Sequence, residues 1–370
     1  MTTLPFPRPA TFDAPPVLRQ FIAVPAHDTV IGSTLEELDL LKQFYAGAYN
    51  EDYDLKRHLE RETPRHQARV SAFELAATPL TVQTLVEFLE DTAYHGGESH
   101  RTRAEREGLK SQWHAPVGEK KRSEYFAIDP TTPDASWLLH PVSCLDWAEA
   151  LHVCHWMSAK AGLIDPHRPG ERLEDMQALF AAAPRPEESR PDGTPPPSAP
   201  HRAWPGYRLP TSAEWEAASR FAPGHTPPVN PSPWWWGDNL HDGDGRCNAA
   251  DYTSKRRFRG WVTCPWEGTH IYTAPVATRP ATPAGFFDMA GNIWEWCLDT
   301  FHPGFYADGP KADPLCLWSL PGLPPAEAPR IARGGGWHNL PANIRQASRR
   351  VHEPDRIRCN LGLRPARTLP

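Results

Sequence analysis

Thiols and imidazoles are the side chains best suited to nucleophilic, redox or metal chemistry, and this chain contains 7 cysteines and 17 histidines. No two cysteines form a CxxC pair, the spacing typical of redox and zinc motifs. The odd number of cysteines and the length of the chain argue against a secreted disulfide framework and favour a reduced setting. The cysteines are Cys144, Cys154, Cys247, Cys264, Cys297, Cys316 and Cys359.

The histidines show no H-x3-H pair of the kind that holds a metal on one helix face. His152 and His155 lie three positions apart within a predicted helix that also carries Leu151 and Trp156. We interpret these two histidines as ordinary surface positions of the helix. The sequence contains no nucleophile elbow, although it leaves a Ser-His-Asp arrangement open.

A second candidate for chemistry or recognition is the C-terminal stretch RIARGGGWHNLPANIRQASRRVHEPDRIRCNLGLRPAR, residues 330–367. More than twenty of its residues follow no helix or strand period. Loops of that length are uncommon in compact domains unless they have a function. The stretch therefore needs a rigid scaffold to hold it.

The rest of the chain predicts such a scaffold from short strands and few helices. Apolar periodicity predicts two main helices, over 81–95 and 143–161, and Thr211 or Ser212 is suited to cap a short third one. Short strands are expected in 20–34 and 66–81, and a helix is expected after Ser33. Residues 1–19 are predicted to form an extended arm, and 184–204 a proline-rich insertion without a core.

Composition narrows the function classes. With 43 prolines, 25 glycines and 15 tryptophans in 370 residues, the chain should be loop-rich and unusually heat-resistant. A formal charge of −6 argues against a dedicated nucleic-acid binder. We expect no signal peptide and no membrane insertion, because the sequence has neither a basic and apolar leader nor a long apolar run.

Several motifs, taken together and in order, resemble one family. They include RLPTSAEWE (208–216), DMAGNIWEW (288–296) and RGGGW (333–337), followed by GLR (362–364). The chain resembles the formylglycine-generating-enzyme, or sulfatase-modifying-factor, domain, a variant of the C-type lectin fold. The resemblance covers about residues 20–367 and implies a single α+β domain, loop-rich, with short twisted sheets.

The resemblance also implies a calcium site. Its ligands would be the side chains of Asp288 and Glu295 and the backbone oxygens of Gly291 and Ile293, a mixed oxygen set that calcium accepts. A second family site would use Asn248 and Ala249, but there the nearby acid, Glu267, is displaced from the expected register.

The family's metal-dependent enzymes are less well matched. The oxidase members bind copper through two cysteines that follow the Gly-Gly-x-aromatic motif. Here no cysteine lies between Trp337 and Arg349, and Cys359 is the only later one. We therefore expect no copper. The sulfoxide-synthase members hold iron mainly through a preceding helical domain, for which the chain has no room.

Within the C-terminal region 334–364, one set of residues matches the family's frame. These frame residues are Gly334, Gly335, Trp337, Arg345, Ala347, Arg349, Pro354, Arg356, Gly362 and Arg364. The residues between them mix apolar, polar and aromatic types without a period, and we call them fillers. The fillers are His338, Asn339, Leu340, Ala342, Asn343, Gln346, Ser348, Val351, His352, Ile357, Cys359 and Asn360.

This pattern of frame residues with fillers between them resembles the C-terminal segment of the variable proteins of diversity-generating retroelements. In those proteins the segment is diversified by adenine-directed mutagenesis. The resemblance implies that Trp337 and the fillers bind a protein or a cell-surface ligand, with the fillers pointing outward. The location stays unknown: without a signal peptide, both a cytoplasmic and a phage-particle-associated protein are open. Two alternatives stay open: an enzyme of the formylglycine-generating type with a changed or lost metal site, and a non-diversified accessory domain.

Overall fold

The computed structural model describes residues 20–45, 56, 58, 60–92, 135–183 and 199–370. The predicted arm at 1–19 and residues 184–198 of the predicted insertion lie outside these residues. The last part of that insertion contains a short 3-10 helix, Pro200–Ala203. The described chain is an α+β fold with short strands and mostly short helices, as the sequence predicts.

Two helices are longer than the others in the described part, and both were predicted. They span Val82–Thr92 and Trp147–Lys160. The second begins later than predicted because Asp146 caps it: Asp146 Oδ1 accepts from Glu149 N at 2.8 Å, and Glu149 Oε2 accepts from Asp146 N at 3.0 Å. The helices are α1 Leu35–Leu40, α2 Lys42–Tyr45, α3 Val82–Thr92, α4 Trp147–Lys160, α5 Leu173–Leu179, α6 Ser212–Arg220, α7 Tyr252–Arg257 and α8 Phe305–Asp308.

The strands form three sheets in the described residues, in the orders β1-β4-β10-β5, β2-β3 and β8-β7-β6-β9. The run at 66–81, predicted as a strand, is two strands because β3 pairs with β2 whereas β4 pairs with β1 in a different sheet. The strands are β1 Phe21–Val24, β2 His27–Ile31, β3 His66–Val70, β4 Phe73–Ala76, β5 Tyr207–Arg208, β6 Trp294–Thr300, β7 Arg330–Arg333, β8 Arg350–His352, β9 Leu361–Gly362 and β10 Ala366–Thr368.

The tryptophan-rich strand β6 lies at the centre of the fold, and all of its residues are buried. Trp294 and Trp296 pack in one core cluster, with residues of α4. Glu295 points away from them, and its Oε2 accepts from the indole Nε1 of Trp215 at 2.6 Å. The alternation of these side chains follows from the two-residue period of a strand. It places the Glu295 carboxylate between two apolar clusters.

Helix α6 supplies two further buried carboxylates, Glu214 and Glu216, and its predicted cap is Thr211, which forms a capping box with Glu214. Glu216, in the middle of this helix, lies among three arginines. Glu216 Oε2 accepts from Arg333 Nη2 at 2.6 Å and from Arg349 Nη2 at 3.1 Å, and Oε1 accepts from Arg220 Nε at 3.0 Å. Buried charges need such pairing to be tolerated. This cluster ties α6 to β7 and to the C-terminal region.

The two histidines of α4 correct one prediction. His155 is buried, not at the surface, and its Nε2 lies 2.9 Å from the carbonyl oxygen of Glu171. The ring of His152 packs edge-on against Phe88 with the ring centroids 5.1 Å apart.

None of the helices among the described residues is both long and apolar enough to cross a membrane.

Candidate functional site

The C-terminal region is not aperiodic throughout, since it contains β8 and β9. Between β7 and β8 the chain turns at Gly334 and Gly335, whose φ angles are +97° and +79°. A Cβ on Gly335 would come within 2.9 Å of the backbone oxygen of Asn343, so this close approach requires glycine. A 3-10 helix, Pro341–Ile344, follows.

Arginines, among them the frame residues Arg345 and Arg349, hold this long connection in place. Arg345 donates to both carboxylate oxygens of Glu62, at 3.0 and 2.8 Å, and to the carbonyl of Ala342 at 2.9 Å. Arg349 donates to the carbonyl of Arg61 at 2.8 Å. Because a guanidinium has five donors, each arginine can pin the loop at several points.

Arg333 of β7 completes the support. Its Nη1 and Nη2 donate to the carbonyls of Gln346, Ala347 and Ser348 at 2.7, 2.9 and 2.7 Å. The sequence analysis did not single out Arg333, although its place directly before the three glycines was a signal. The segment is thus ordered by buried side-chain donors where a sheet ladder is absent.

Trp337 is buried and forms the centre of an aromatic group. Its ring centroid lies 5.1 Å from that of Tyr272, 5.9 Å from Trp261 and 6.4 Å from Phe258. The ring of His338 packs against Trp337 at 4.9 Å and against Trp261 at 6.0 Å. We call these five residues the aromatic site. Sequence reasoning missed its three members from 258–272, whose only signal is the aromatic-rich run FRGWVTCPWEGTHIY.

Two polar atoms of the aromatic site have no hydrogen-bond partner among the described residues: Trp337 Nε1 and His338 Nδ1. Burial, helped by the charge of Arg350, lowers the pKa of His338 to about 4, so its ring is neutral near pH 7. The other ring nitrogen, Nε2, lies 3.4 Å from Asn360 Nδ2, an amide donor. If Nε2 accepts there, Nδ1 carries the proton, and both unpartnered atoms are N–H donors.

The fillers are less exposed than predicted. The expectation that they point outward is wrong for Ala342, Gln346, Ser348, Ile357 and Asn360, which are buried. Gln346 shows the reason: its Oε1 accepts from Ser219 Oγ at 3.0 Å, and its Nε2 donates to the Ser232 carbonyl at 2.9 Å. The remaining fillers are half-buried: His338, Asn339, Leu340, Asn343, Val351, His352 and Cys359.

The half-buried fillers are not all free to vary. Asn339 Oδ1 accepts from Trp294 Nε1 at 2.8 Å and from Gly336 N at 2.9 Å, so its side chain supports the fold. Leu340 packs against the small core of Leu38 and Leu41. The ligand-binding role of Trp337 and the fillers stays a prediction, and the structure brings only Trp337 and His338 into the aromatic site, with Cys359 packed against it.

The implied calcium site does not fit a calcium ion as its side chains are arranged. Both carboxylate oxygens of Glu295 accept from Arg364: Oε2 from Nε and Oε1 from Nη2, each at 2.9 Å. The oxygens of Asp288 accept from Ala277 N at 2.9 Å and from Asn292 Nδ2 at 3.3 Å. A cation would have to displace the guanidinium of Arg364 to reach Glu295.

The second implied site is no better matched. Asn248 Nδ2 donates to the Tyr272 carbonyl at 2.9 Å, and Glu267 is exposed and paired with Arg256. Among the described residues, no group of three or more His, Cys, Asp or Glu side chains could hold a metal. The expected lack of copper stays a prediction, whereas the pairing of Glu295 with Arg364 argues against the implied calcium site.

Cys359 is not isolated in space. The backbone N of Cys144 donates to the carbonyl of Arg358 at 2.9 Å, which brings Cys144 beside it. Burial, together with the nearby Cys359, raises the pKa of the Cys144 thiol. All 7 cysteines are free thiols in the described structure, and Cys359 is the one that is not fully buried.

Three short sheets, two main helices and a C-terminal region pinned by arginines define a C-type-lectin-like scaffold of the formylglycine-generating type. Residues 41–369 match the family described as the sulfatase-modifying factor enzyme 1-like domain, and the chain belongs to that family. It is 30% identical to a formylglycine-generating enzyme of Streptomyces coelicolor over 82% of this chain and 81% of that protein.

Solved structures share the fold. PvdO from Pseudomonas aeruginosa matches 94% of each chain with a TM-score of 0.54 and 17% identity. Treponema denticola variable protein 1 also matches 94% of each chain, with a TM-score of 0.51 and 17% identity. At these identities the likeness concerns the fold alone.

Proposed function

We propose that the chain is a ligand-binding protein and that its ligand contacts the aromatic site. The observation that carries this proposal is the pair of unpartnered buried atoms, Trp337 Nε1 and His338 Nδ1. Buried polar groups are almost always hydrogen-bonded, so an unpaired one needs an explanation. A bound acceptor oxygen supplies the missing partner.

The chemistry of the site describes the ligand. Two N–H donors call for an acceptor oxygen, such as a carbonyl or a hydroxyl of a protein or a cell-surface glycan. The half-buried ring of Trp261 adds an apolar face for stacking. Because His338 stays neutral near pH 7, the site offers donors without adding a positive charge.

An array of immobilised glycans and peptides tests binding at this site directly. We expect Trp261→Ala and His338→Ala to abolish signals that the wild type gives. Tyr252→Ala is the matched control, because Tyr252 is an exposed aromatic residue, 45% accessible, outside the site. If the control loses the same signals, or both site variants keep them, binding lies elsewhere and the proposal fails.

The finer proposal is that the protein is a variable protein of a diversity-generating retroelement. It is supported by the fold shared with Treponema denticola variable protein 1 and by the half-buried fillers other than Asn339 and Leu340, which side chains of other sizes can replace. Sequencing the gene in independent isolates tests it. We expect adenine-derived changes at codons 338, 343, 351 and 352, unchanged frame codons, and a template repeat beside a reverse transcriptase. Uniform codons and no template would contradict it.

A second candidate function is catalysis of the formylglycine-generating kind, which the 30% identity to the Streptomyces coelicolor enzyme favours. Incubating the purified protein with copper, oxygen and a cysteine-containing peptide, and measuring aldehyde by mass spectrometry, distinguishes the two. Binding without catalysis predicts no aldehyde. Turnover that is lost in Cys359→Ser or Cys144→Ser would instead establish the enzyme.

A further inference from the structure

A cleft of about 630 Å³ lies between α1 and α2 on one side and the loops 233–241 and 262–265 on the other. Its volume falls in the range of about 300–1,000 Å³ that is typical of ligand sites. Arg345 is the one residue of the C-terminal region that lines it. The cleft shares no residue with the aromatic site.

The residues that line the cleft are mainly apolar, and two of their side chains are unusually exposed. Leu40 on α1 is 59% accessible, and Val262 on the facing loop is 38% accessible. Among the described residues, four large apolar side chains are exposed, and these are two of them. Phe44 and Trp234 lie deeper, packed edge to face with centroids 6.4 Å apart. Clustered exposed apolar groups of this kind mark interaction surfaces.

The charges around the cleft are unbalanced. Arg345 is neutralised by Glu62, to which it donates two hydrogen bonds, and Glu37 is paired with Arg65. Asp238 is exposed on the opposite rim, and no described residue pairs with it or donates to it. The cleft therefore presents an apolar bed with one unpaired carboxylate, a combination that complements an apolar group attached to a cation.

We propose that this cleft binds a segment of another protein that carries a lysine or arginine next to a large apolar side chain. The apolar side chain enters between Leu40 and Val262, and the cation pairs with Asp238. A protein segment suits the cleft because both exposed side chains stand at its edges, where flanking chain can cover them. This inference does not depend on the proposed function, because the aromatic site takes no part in it.

Fluorescence anisotropy with two labelled nine-residue peptides tests the proposal. One alternates leucine with arginine, and the other alternates leucine with glutamate. We expect the basic peptide to bind at least tenfold more tightly, and its binding to weaken as salt screens the pairing. Equal binding of the two peptides, or no binding of the basic one, would overturn the proposal.

Variants locate the binding within the molecule. Asp238→Asn and Leu40→Ser should each weaken the basic peptide at least fivefold. The matched controls are Glu36→Gln and Leu35→Ser, which change exposed residues of the same region that do not line the cleft. All four positions are at the surface, so thermal melts should stay close to wild type. Controls that lose binding as strongly as the cleft variants would show that the contact is nonspecific.

Discussion

Arg345 Nη2 donates to both carboxylate oxygens of Glu62, at 3.0 and 2.8 Å, across 283 positions of the chain. Both side chains are buried, with exposed fractions of 2% and 0%. Burial alone would raise the pKa of Glu62, but Arg345 and His58 reverse the effect and hold it well below its usual range. The pair therefore ties the C-terminal region to the beginning of the domain.

Breaking this pair should be costly, since removing one partner leaves an uncompensated buried charge. Glu62→Gln and Arg345→Met are each expected to lower the free energy of unfolding by about 3–5 kcal/mol. The double variant should recover part of the loss because neither charge remains. As a control, Lys160→Met breaks the exposed Lys160–Asp91 pair and should cost at most about 1 kcal/mol. Denaturant titrations measure all four, and equal losses at both pairs would contradict the argument.

Within the C-terminal region, stability should follow contacts rather than position in the frame. Gln346→Ala removes the acceptor of Ser219 and the donor to Ser232, and should cost about 1–3 kcal/mol. Asn343→Ala should cost no more than about 0.5 kcal/mol, since its side chain is half-buried and its one hydrogen-bond contact among the described residues is long, 3.4 Å to His58. Thermal melts compare the two, and the reverse order would show that Asn343 is the structural residue.

Buried carboxylates should make the protein sensitive to acid. Burial would raise the pKa of Glu214 and Glu216, but buried arginines hold both at about 2 in the folded state. Stability from each is thus present above the unfolded pKa, near 4.5, and is lost as the pH falls from there towards 2. At about 1.4 kcal/mol per unit, the loss is about 3 kcal/mol for each group.

One buried acid acts in the opposite direction. Burial raises the pKa of Asp299 to about 6. The stability that Asp299 contributes is therefore complete below its unfolded pKa and is lost as the pH rises through 6. Urea titrations from pH 7 to pH 3 should therefore show the steep fall only below about 4.5. Glu216→Gln should flatten that fall, whereas Glu327→Gln, an exposed control, should leave it unchanged.

The sequence predicts the elements whose signals are local. The two main helices and the Thr211 cap of α6 follow from neighbouring residues, whereas the Asp146 cap of α4 was not predicted and moves the start of that helix. The aromatic site could not be predicted, because it joins Trp337 to Phe258, Trp261 and Tyr272 through contacts that no local period encodes. The prediction that the fillers point outward failed for the same reason: Ala342 is enclosed by Leu38 and Leu41, from the opposite end of the chain.

Heat resistance stays a prediction from composition. Each proline that fits its site stabilises the fold by about 0.4–1 kcal/mol, because it restricts the unfolded chain. With 43 prolines, we expect a melting midpoint above about 65 °C, the upper end of the mesophile band. Differential scanning calorimetry measures it, and a midpoint between about 45 and 65 °C would contradict the expectation.

Calcium should leave the stability of this protein unchanged. Glu295 already accepts two hydrogen bonds from Arg364 and one from Trp215, so a cation would have to replace the guanidinium. We expect equal melting midpoints in EDTA and in millimolar calcium, because only a ligand that binds the folded state raises its stability. Glu295→Gln should lower the free energy of unfolding by about 3–5 kcal/mol in both buffers, since it leaves Arg364 buried without its counter-charge. A calcium-dependent rise in the midpoint that disappears in Asp288→Asn would show that the ion binds there and that Arg364 gives way to it.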